Sequence, residues 1–430
     1  MPDKSASTPA EFNLLLLKRL VCVAAMFGML SSFKLFFPLP GYRNFPNAPI
    51  SNLFVDWPEF CVGVFAVLLV LALLLSLLLT GRTKFRCTLV FGFFAFLFLI
   101  AVDLNCFQPW AYEYAVLLAM VFLSGAGYGV GESGEREEHC RVFQFFTASF
   151  LACVYIFSGL EKLNYRFLSE IGPWLLGLQQ DLSLALPESV MPPLGPYAAL
   201  GLFMALGEAA CGGLLLFSRT RSVAACLLSL MHISLFLMLG PLGKNLNYAV
   251  WSWNVFSALL LLLVFVIGPP AATFKQVLLS VRTASARSQP GLRFGAGLFL
   301  LCGVLVPTLG LLQLADPYPS YALYSGDVPR AVLILEPEQY EGLPRELQSV
   351  FYWYKTKPER YLDILDWSVD ELGVAAYPSA FFYEKSAGQF LRKYGLKSCR
   401  LILVTYPKGT AQRRFLYRQI TPSASGDPVR

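Results

Sequence analysis

Long apolar segments alternate with short polar ones over the first three quarters of the chain. A helix that crosses a bilayer needs about 20 mostly apolar residues. Nine segments come close to this length: 14–36, 59–80, 86–104, 110–128, 142–163, 196–217, 222–240, 247–267 and 293–314. We therefore predict an α-helical polytopic membrane bundle of about nine spans over residues 14–314, after a cytoplasmic N-terminus of residues 1–13. The first segment carries Lys18 and Arg19 like the start of a signal peptide but lacks a clear cleavage site, so we expect a retained anchor.

The pattern changes after Asp316 to short elements separated by turns. Three segments are typical of strands and one of a helix: Ala331–Leu335, Arg400–Thr405 and Arg414–Ile420 for strands, and Tyr377–Tyr394 for the helix. Gly395 is well placed to end this helix, and residues 407–409 predict a hairpin-like turn. We expect a small soluble α+β domain over residues 315–420, acting as a cap or partner-binding surface, and a disordered tail over residues 421–430.

The composition supports a membrane protein. Of the 430 residues, 56% are hydrophobic and 14% are charged, whereas soluble globular proteins carry about 25% charged residues. The bilayer is therefore the predicted surrounding of the bundle. The net charge of +6 does not come with a basic stripe and interleaved aromatics, so we expect no nucleic-acid partner. The ten cysteines show no CxxC spacing, and we expect no metal site.

Basic residues are distributed unevenly between the two sides that nine spans create. One set of polar segments holds fourteen of them: Lys4, Lys18, Arg19, Arg82, Lys84, Arg86, Arg136, Arg141, Arg219, Arg221, Lys275, Arg282, Arg287 and Arg293. The alternate set holds five: Lys34, Arg43, Lys162, Arg166 and Lys244. Because Lys and Arg accumulate in cytoplasmic loops, we expect a multi-pass protein of the cell (inner) membrane with a cytoplasmic N-terminus and an extracytoplasmic C-terminal domain.

Cys106 and Cys399 are the two cysteines that this topology places most clearly outside the cytoplasm, where disulfides persist. A bridge between them would join the outer domain to the loop after the third span. Two free thiols are the alternative, and the sequence leaves both open.

One face of the fifth span is partly polar and ends in a lysine. At helical spacing this face holds Gln144, Ala148, Leu151, Tyr155, Ser158 and Lys162. An ionisable residue inside a membrane is a functional candidate. Apolar surroundings disfavour the charged form of a lysine, and a neutral Lys162 can act as a general base. The alternative is that Lys162 snorkels to the interface beside Glu161.

Two later spans each contain one ionisable residue near the middle. Glu208, in LGEAACGG, is followed by small residues that permit close helix packing. Both a structural hydrogen bond and proton handling fit this residue. His232, in SLMHISLF, lies about 15 Å into its span at 1.5 Å per residue. It either transfers protons or packs as a satisfied core histidine.

The predicted outer half of the bundle contains further polar residues. Asn247, Trp251 and Asn254 share one face of the eighth span, and we expect them, with Tyr155 and Glu208, to line a polar cavity. An interfacial aromatic belt is the alternative for the tryptophan. The turn between the third and fourth spans holds Asp103, Asn105, Gln108 and Glu113. From the topology we expect this turn to converge with the lysine of the fifth span on one outward-facing cavity.

Residues Tyr155–Leu163 (YIFSGLEKL) resemble the Tyr–Phe–x–Ala–Gly–x–Lys–Lys–Leu helix of vitamin K-dependent gamma-carboxylases and their bacterial relatives, the horizontally transferred transmembrane (HTTM) proteins. The mid-span His232, the nine spans and the outer C-terminal domain are also similar to that family. The pair Cys106 and Cys399 looks like the family's link between an outer loop and its C-terminal region. The resemblance covers about residues 14–314.

The resemblance implies an enzyme, a carbon–carbon lyase of the carboxylase type, with a reduced quinone such as vitamin K hydroquinone as cofactor. In that family a lysine of the motif deprotonates the reduced vitamin. Oxygenation then creates a strong base that removes a proton from a substrate glutamate, and the carbanion captures carbon dioxide. Carried over by position, the base is Lys162, with His232 as a helper. The chain departs from the family at Glu161, which replaces the first paired lysine, and in its short C-terminal domain.

Two other functions stay open. A redox module resembling the DoxX family would assist quinone or thiol chemistry without carboxylation. A transporter or scaffold would bind a partner through the outer domain, although the spans lack obvious inverted repeats. In the enzyme interpretation, a peptide or protein substrate would meet that same domain.

Overall fold

A computed structural model describes residues 7–38, 43–57, 59–79, 82–125, 133–178, 191, 193–283, 290–353 and 359–422. Most of these residues are helical, and a small antiparallel sheet follows the helices. Residues 1–6 of the predicted N-terminal segment, and the predicted disordered tail from residue 423 onward, lie outside the described residues.

Apolar helices dominate the chain up to Leu311. We label them in chain order: α1 Pro9–Ser31, α2 Glu59–Leu78, α3 Arg82–Val102, α4 Pro109–Ser124, α5 Ser133–Glu161, α6 Ala198–Leu214, α7 Arg221–Leu239, α8 Tyr248–Leu261 and α9 Pro290–Phe299. A π-helical turn extends α8 through Ile267, and another extends α9 through Leu305, where an α-helical turn, Val306–Leu311, follows. Short helices join them: Phe33–Phe36, Asn52–Phe54, Leu104–Cys106, Phe167–Ile171, Gly172–Leu175 and Phe274–Thr283.

Six helices in the described part of the chain are long and apolar enough to cross a membrane. They are Pro9–Ser31, Phe60–Leu78, Arg136–Glu161, Arg221–Leu239, Tyr248–Ile267 and Gly291–Leu311. Three more apolar helices, of 10–17 residues each, are Arg86–Val102, Pro109–Ser124 and Ala198–Leu214. All nine coincide with predicted segments. The prediction of a helical membrane protein is therefore confirmed with six candidate spans.

Two glycines allow α5 and α6 to pack backbone against backbone. A Cβ atom added at Gly159 would lie 2.5 Å from the backbone nitrogen of Ala209, and one at Gly212 would lie 2.6 Å from that of Ile156. Real side chains do not approach so closely, so only glycine fits at these two points. The small residues around Glu208 thus serve the close helix packing that the sequence predicted.

The polar segments between the helices meet in two groups. Arg141, near the start of α5, donates a hydrogen bond of 3.2 Å to the carbonyl oxygen of Pro270 after α8. Arg43, after α1, forms an ion pair of 2.6 Å with Asp103 after α3. The start of α5 therefore lies beside the segment after α8, and the segment after α1 lies beside the segment after α3.

Residues Arg330–Ile420, here called the sheet region, form a five-stranded antiparallel sheet with helices packed on it. The strands are β1 Arg330–Leu335, β2 Tyr352–Trp353, β3 Arg360–Asp363, β4 Cys399–Thr405 and β5 Arg414–Ile420; the helices are α10 Ile364–Leu372, α11 Ala380–Lys393 and the short Pro337–Glu341 and Arg345–Gln348. The strand order is β2-β3-β1-β4-β5. At the centre, Val332 pairs with Asp363 on one side and with Ile402 on the other.

The sequence predicted β1, β4, β5 and α11 but neither β2, β3 nor α10. The predicted helix Tyr377–Tyr394 begins later, at Ala380, because the Ser379 hydroxyl caps it by accepting a hydrogen bond of 3.1 Å from the Phe382 N–H. Gly395 follows its end with a φ of +64°, as predicted. The strands that were missed contain two and four residues, too few to show an alternating pattern.

The turn between α3 and α4 docks the sheet region and does not line a cavity with the lysine of α5. The Asn105 side-chain oxygen accepts a hydrogen bond of 2.9 Å from the Tyr377 N–H. Gln108 donates one of 3.2 Å to the carbonyl oxygen of Ala375, and Asp103 is held in its buried ion pair. Asp103, Asn105 and Gln108 therefore do not converge on the cavity, because their side chains are used for docking, and of the predicted turn residues only Glu113 contacts a residue of the cavity wall, Trp253.

The predicted disulfide between Cys106 and Cys399 is also corrected, because both are buried free thiols. Cys106 follows Asn105, whose side-chain amide contacts the hydroxyl of Ser368 in α10. Cys399 begins β4 and pairs in register with Ile420 of the edge strand β5. Cys106 is thus next to a residue that contacts α10, whereas Cys399 begins a strand, and the two thiols are not bonded to each other.

A methyl group at Gly159 should force α5 and α6 apart, whereas one at Gly213 meets nothing within 4 Å. We expect Gly159→Ala to destabilise the protein by about 1–3 kcal/mol. Gly213→Ala should be neutral or stabilising, since alanine favours a helix over glycine. The unfolding temperatures of both variants in one detergent measure this. Equal temperatures for the two would contradict the tight contact.

Candidate functional site

Lys162 and Glu208 form an ion pair between α5 and α6. The Lys162 Nζ to Glu208 Oε2 distance is 2.8 Å, and the two side chains are 12% and 9% exposed. Nζ also donates to the Ser158 hydroxyl, one helical turn earlier, at 2.7 Å. The sequence analysis did not pair Lys162 with Glu208.

His232 is held by hydrogen bonds at both ring nitrogens. Its Nδ1 lies 2.8 Å from Asn254 Oδ1, and its Nε2 lies 2.7 Å from the Tyr155 hydroxyl. The Asn254 amide nitrogen donates to the carbonyl oxygen of Val250, so Oδ1 faces the imidazole as an acceptor. In the neutral ring, Nδ1 consequently donates and Nε2 accepts the Tyr155 proton. These hydrogen bonds fix the imidazole ring and orient the Tyr155 hydroxyl.

Both polar groups border one cavity of about 360 Å³, here called the first cavity. Its polar lining consists of Ser158, Lys162, Glu208, His232, Asn254, Tyr321 and Tyr324, and most of the other lining residues are aliphatic or aromatic. A cavity of this size with a few convergent polar groups is typical of small-molecule sites. Of the predicted site residues, Lys162, Glu208, His232 and Asn254 are thus brought together. Among the described residues, no group of three or more His, Cys, Asp or Glu side chains is arranged to hold a metal ion.

Trp253 and Tyr321 line the first cavity but were not singled out from the sequence. The Trp253 Nε1 donates to the Glu113 carboxylate at 2.7 Å, so an acidic residue of α4 fixes this ring. The Tyr321 hydroxyl donates to the carbonyl oxygen of Cys302 at 2.9 Å. Cys302 lies in the π-helical turn after α9, and the residue five positions later is Pro307, which has no N–H to occupy that carbonyl. In the sequence, the signals that could have pointed to Trp253 and Tyr321 were Glu113 and Pro307, a carboxylate and a proline inside apolar helices.

Three other predicted cavity residues surround the first cavity without lining it. Tyr155 lies behind the imidazole that it contacts. Asn247 lines an adjoining cavity of about 460 Å³, here called the second cavity, and its amide nitrogen donates to the Tyr324 hydroxyl at 3.1 Å. The Trp251 Nε1 donates to the carbonyl oxygen of Leu239, the last residue of α7, and to that of Leu246 in the α7–α8 connection, each at 3.0 Å. Its ring therefore joins two helices.

Glu161, the neighbour of Lys162 in sequence, faces a third cavity of about 340 Å³. Its carboxylate pairs with Lys408 Nζ at 2.8 Å, and the same ammonium donates to the carbonyl oxygen of Leu311 at 2.9 Å. The turn after β4 thus clamps the sheet region to the ends of two bundle helices. Asp327 lines the same cavity, and desolvation by burial raises its pKa to about 7.

Replacing only one member of the Lys162–Glu208 pair should destabilise the protein more than replacing both. Lys162→Met or Glu208→Met leaves one charged side chain without its partner in a nearly buried site, which costs about 3–5 kcal/mol, whereas an apolar replacement of a whole pair is often neutral. We expect the double variant to unfold at a higher temperature than either single variant in the same detergent. Additive losses would indicate that the two side chains do not interact.

No protein-family model, curated protein or solved structure matches this chain. Its function is therefore inferred from the ion pair, the imidazole and the apolar cavity that they border.

Proposed function

We propose that this protein is a membrane enzyme that binds a reduced lipophilic quinone in the first cavity and removes a hydroxyl proton from it with Lys162. This is the chemistry expected from the resemblance of residues 155–163 to the vitamin K-dependent carboxylases. The observation that carries the proposal is the Lys162–Glu208 ion pair in the wall of a mostly apolar cavity.

The lining of the first cavity suits a flat ring with polar substituents. Phe203, Trp253, Tyr321 and Tyr324 supply aromatic surfaces, which favour stacked or edge-on contacts with another ring. The ion pair and Ser158 supply hydrogen-bond partners for a ring hydroxyl. A hydroquinone combines these two features, and its isoprenoid tail would lie among apolar helices.

The ion pair provides a route for the proton. The proposed step requires the pair in its neutral form, with the proton on Glu208 and a free amine on Lys162, which can then accept the hydroxyl proton of the ligand. The products are an ammonium, a protonated carboxyl group and a ligand anion, so charge and protons balance. The new ammonium then stabilises the anion that it faces, an effect that is strong where water is excluded. His232 acts by orienting Tyr155 and Asn254 beside the same cavity.

We further propose that α1 to α9 all cross the membrane, with a cytoplasmic N-terminus and the sheet region outside. The contacts of the sheet region support an odd number of crossings. It hydrogen-bonds to Phe45 after α1, to Asn105 after α3, to Glu161 at the end of α5 and to Leu311 after α9. Phe45, Asn105 and Glu161 belong to the set of segments that is poor in basic residues, which is the outer set under the positive-inside rule.

Reporter fusions test this topology. Alkaline phosphatase, which is active only outside the cytoplasm, should be active when fused after Arg430. The same reporter fused after Thr283, beyond α8, should be inactive, while green fluorescent protein fused there should fluoresce. An inactive phosphatase after Arg430 would show an even number of crossings.

Quinol binding and turnover test the function. A short-chain reduced menaquinone should quench the fluorescence of the purified protein in nanodiscs, because Trp253 lines the first cavity. We expect oxygen-dependent consumption of this quinol, together with incorporation of labelled carbon dioxide into an acceptor peptide. Lys162→Met should slow the consumption by about 10²- to 10⁴-fold, the usual contribution of a general base.

Lys244→Met is the matched control, since Lys244 contacts the ring of Trp174 and does not line the first cavity. It should retain the wild-type rate. Quinol binding without carbon dioxide incorporation would favour a redox-assisting module. An unchanged rate in Lys162→Met, or no quinol binding by the wild type, would overturn the proposal.

A further inference from the structure

The second cavity lies between the bundle and the sheet region. Its lining includes Trp174, Asn247 and Tyr324 from the bundle side and Tyr361, Asp366 and Asp370 from the sheet region. Leu323 and Tyr324 also line the first cavity. The two cavities therefore share one wall, but the side chains around them differ in chemistry.

The arginines at the second cavity are already engaged in ion pairs. Arg330 Nη2 lies 2.6 Å from Asp363 Oδ2 and 3.0 Å from Asp366 Oδ1. Arg166 pairs with Glu170 at 3.1 Å and also donates to a backbone carbonyl. Each guanidinium group thus has at least one carboxylate partner.

Three hydrogen-bond acceptors also line the second cavity, from Asn247, Asp366 and Asp370. The side chain of Asp366 is 43% exposed despite its ion pair, and Asp370 is exposed. Desolvation and the neighbouring Asp366 raise the pKa of Asp370. Asn247 is only 4% exposed, and its Oδ1 has no hydrogen-bond partner. A buried acceptor without a partner costs free energy, which a ligand donor would recover.

We propose that the second cavity binds an alkylammonium group, either the side chain of a lysine in a peptide or a free polyamine. An ammonium carries three donors and no acceptor, which matches the two aspartates and the Asn247 oxygen. Tyr324 and Tyr361 supply aromatic faces, which attract cations. Lys244 Nζ already lies 4.8 Å from the centre of the Trp174 ring, so the ligand contacts the rings of Tyr324 and Tyr361 instead.

This assignment is independent of the proposed quinol chemistry. A substrate glutamate, which the family resemblance implies, would meet carboxylates in the second cavity and arginines that already have partners. The amine-binding site is therefore tested by a separate experiment, and its result does not depend on what the first cavity binds.

Binding of a tri-lysine peptide to the full-length protein tests the site. The protein is placed in nanodiscs of zwitterionic phosphatidylcholine, and the peptide is blocked at both ends and carries a neutral fluorophore for anisotropy. We expect saturable binding that weakens as salt is added, because screening reduces the attraction of partly exposed charges. Spermidine serves as a competitor, and a blocked tri-glutamate peptide serves as the charge-reversed probe.

Charge variants locate the binding. Asp370→Asn should weaken tri-lysine binding about two- to fivefold, the usual range for a partly exposed ion pair, and Asp370→Lys should weaken it about tenfold or more by like-charge repulsion. Asp56→Asn is the matched control, because its side chain is 96% exposed and it is paired with Arg392 outside the cavity. That control should bind like the wild type.

Each outcome decides the proposal. Saturable binding of tri-lysine supports the site. Displacement of the peptide by spermidine shows that a free polyamine also binds there, and no displacement shows that the site prefers the lysine side chain of a peptide. Equal binding of tri-glutamate, no saturable binding of tri-lysine, or an equal loss in Asp56→Asn would overturn the proposal.

Discussion

The ion pair between Lys162 and Glu208 depends on two helices that approach more closely than ordinary side chains permit. A charge taken out of water is costly unless a partner lies at hydrogen-bonding distance, and here the partners meet at 2.8 Å. Gly159 and Gly212 make that distance possible, because any Cβ at either position would collide with the facing backbone. The polar chemistry of the first cavity therefore depends on glycine at these two positions. Ser158, on the same helix as Lys162, accepts a further hydrogen bond from the ammonium.

Tyr155, on the same face of α5, is also satisfied by a partner on another helix, but through a neutral hydrogen bond and not an ion pair. Tyr155, His232 and Asn254 satisfy one another's hydrogen bonds across three helices. In surroundings of low dielectric constant such networks are strong when they are complete. The first cavity thus has polar groups that are fixed before a ligand arrives, set in walls that are otherwise apolar. This arrangement favours a ligand that is largely apolar and carries few hydrogen-bonding groups, as the proposed quinol does.

Local sequence patterns predicted the helices and their faces, but they could not predict contacts between residues that are far apart in the chain. Apolar length located all nine bundle helices, and helical spacing placed Tyr155, Ser158 and Lys162 on one face. The partner of Lys162 is 46 residues away, a pairing that no local period contains. Periodicity also selected Trp251 for the cavity lining, whereas Trp253, on another side of the same helix, lines the first cavity. The disulfide prediction failed for a related reason, since a common side of the membrane does not fix a distance between two cysteines.

The segment between the last bundle helix and the sheet region shapes both cavities. Tyr321 and Tyr324 have φ angles of +62° and +56°, a left-handed backbone that is rare for bulky residues and persists only where the surroundings over-determine it. Their hydroxyls supply that constraint, one through the carbonyl oxygen of Cys302 and the other through Asn247. Because this segment leads directly into β1, any displacement of the sheet region would pull on the wall that the two cavities share. The sheet region is therefore better understood as one side of the site than as a separate appendage to the bundle.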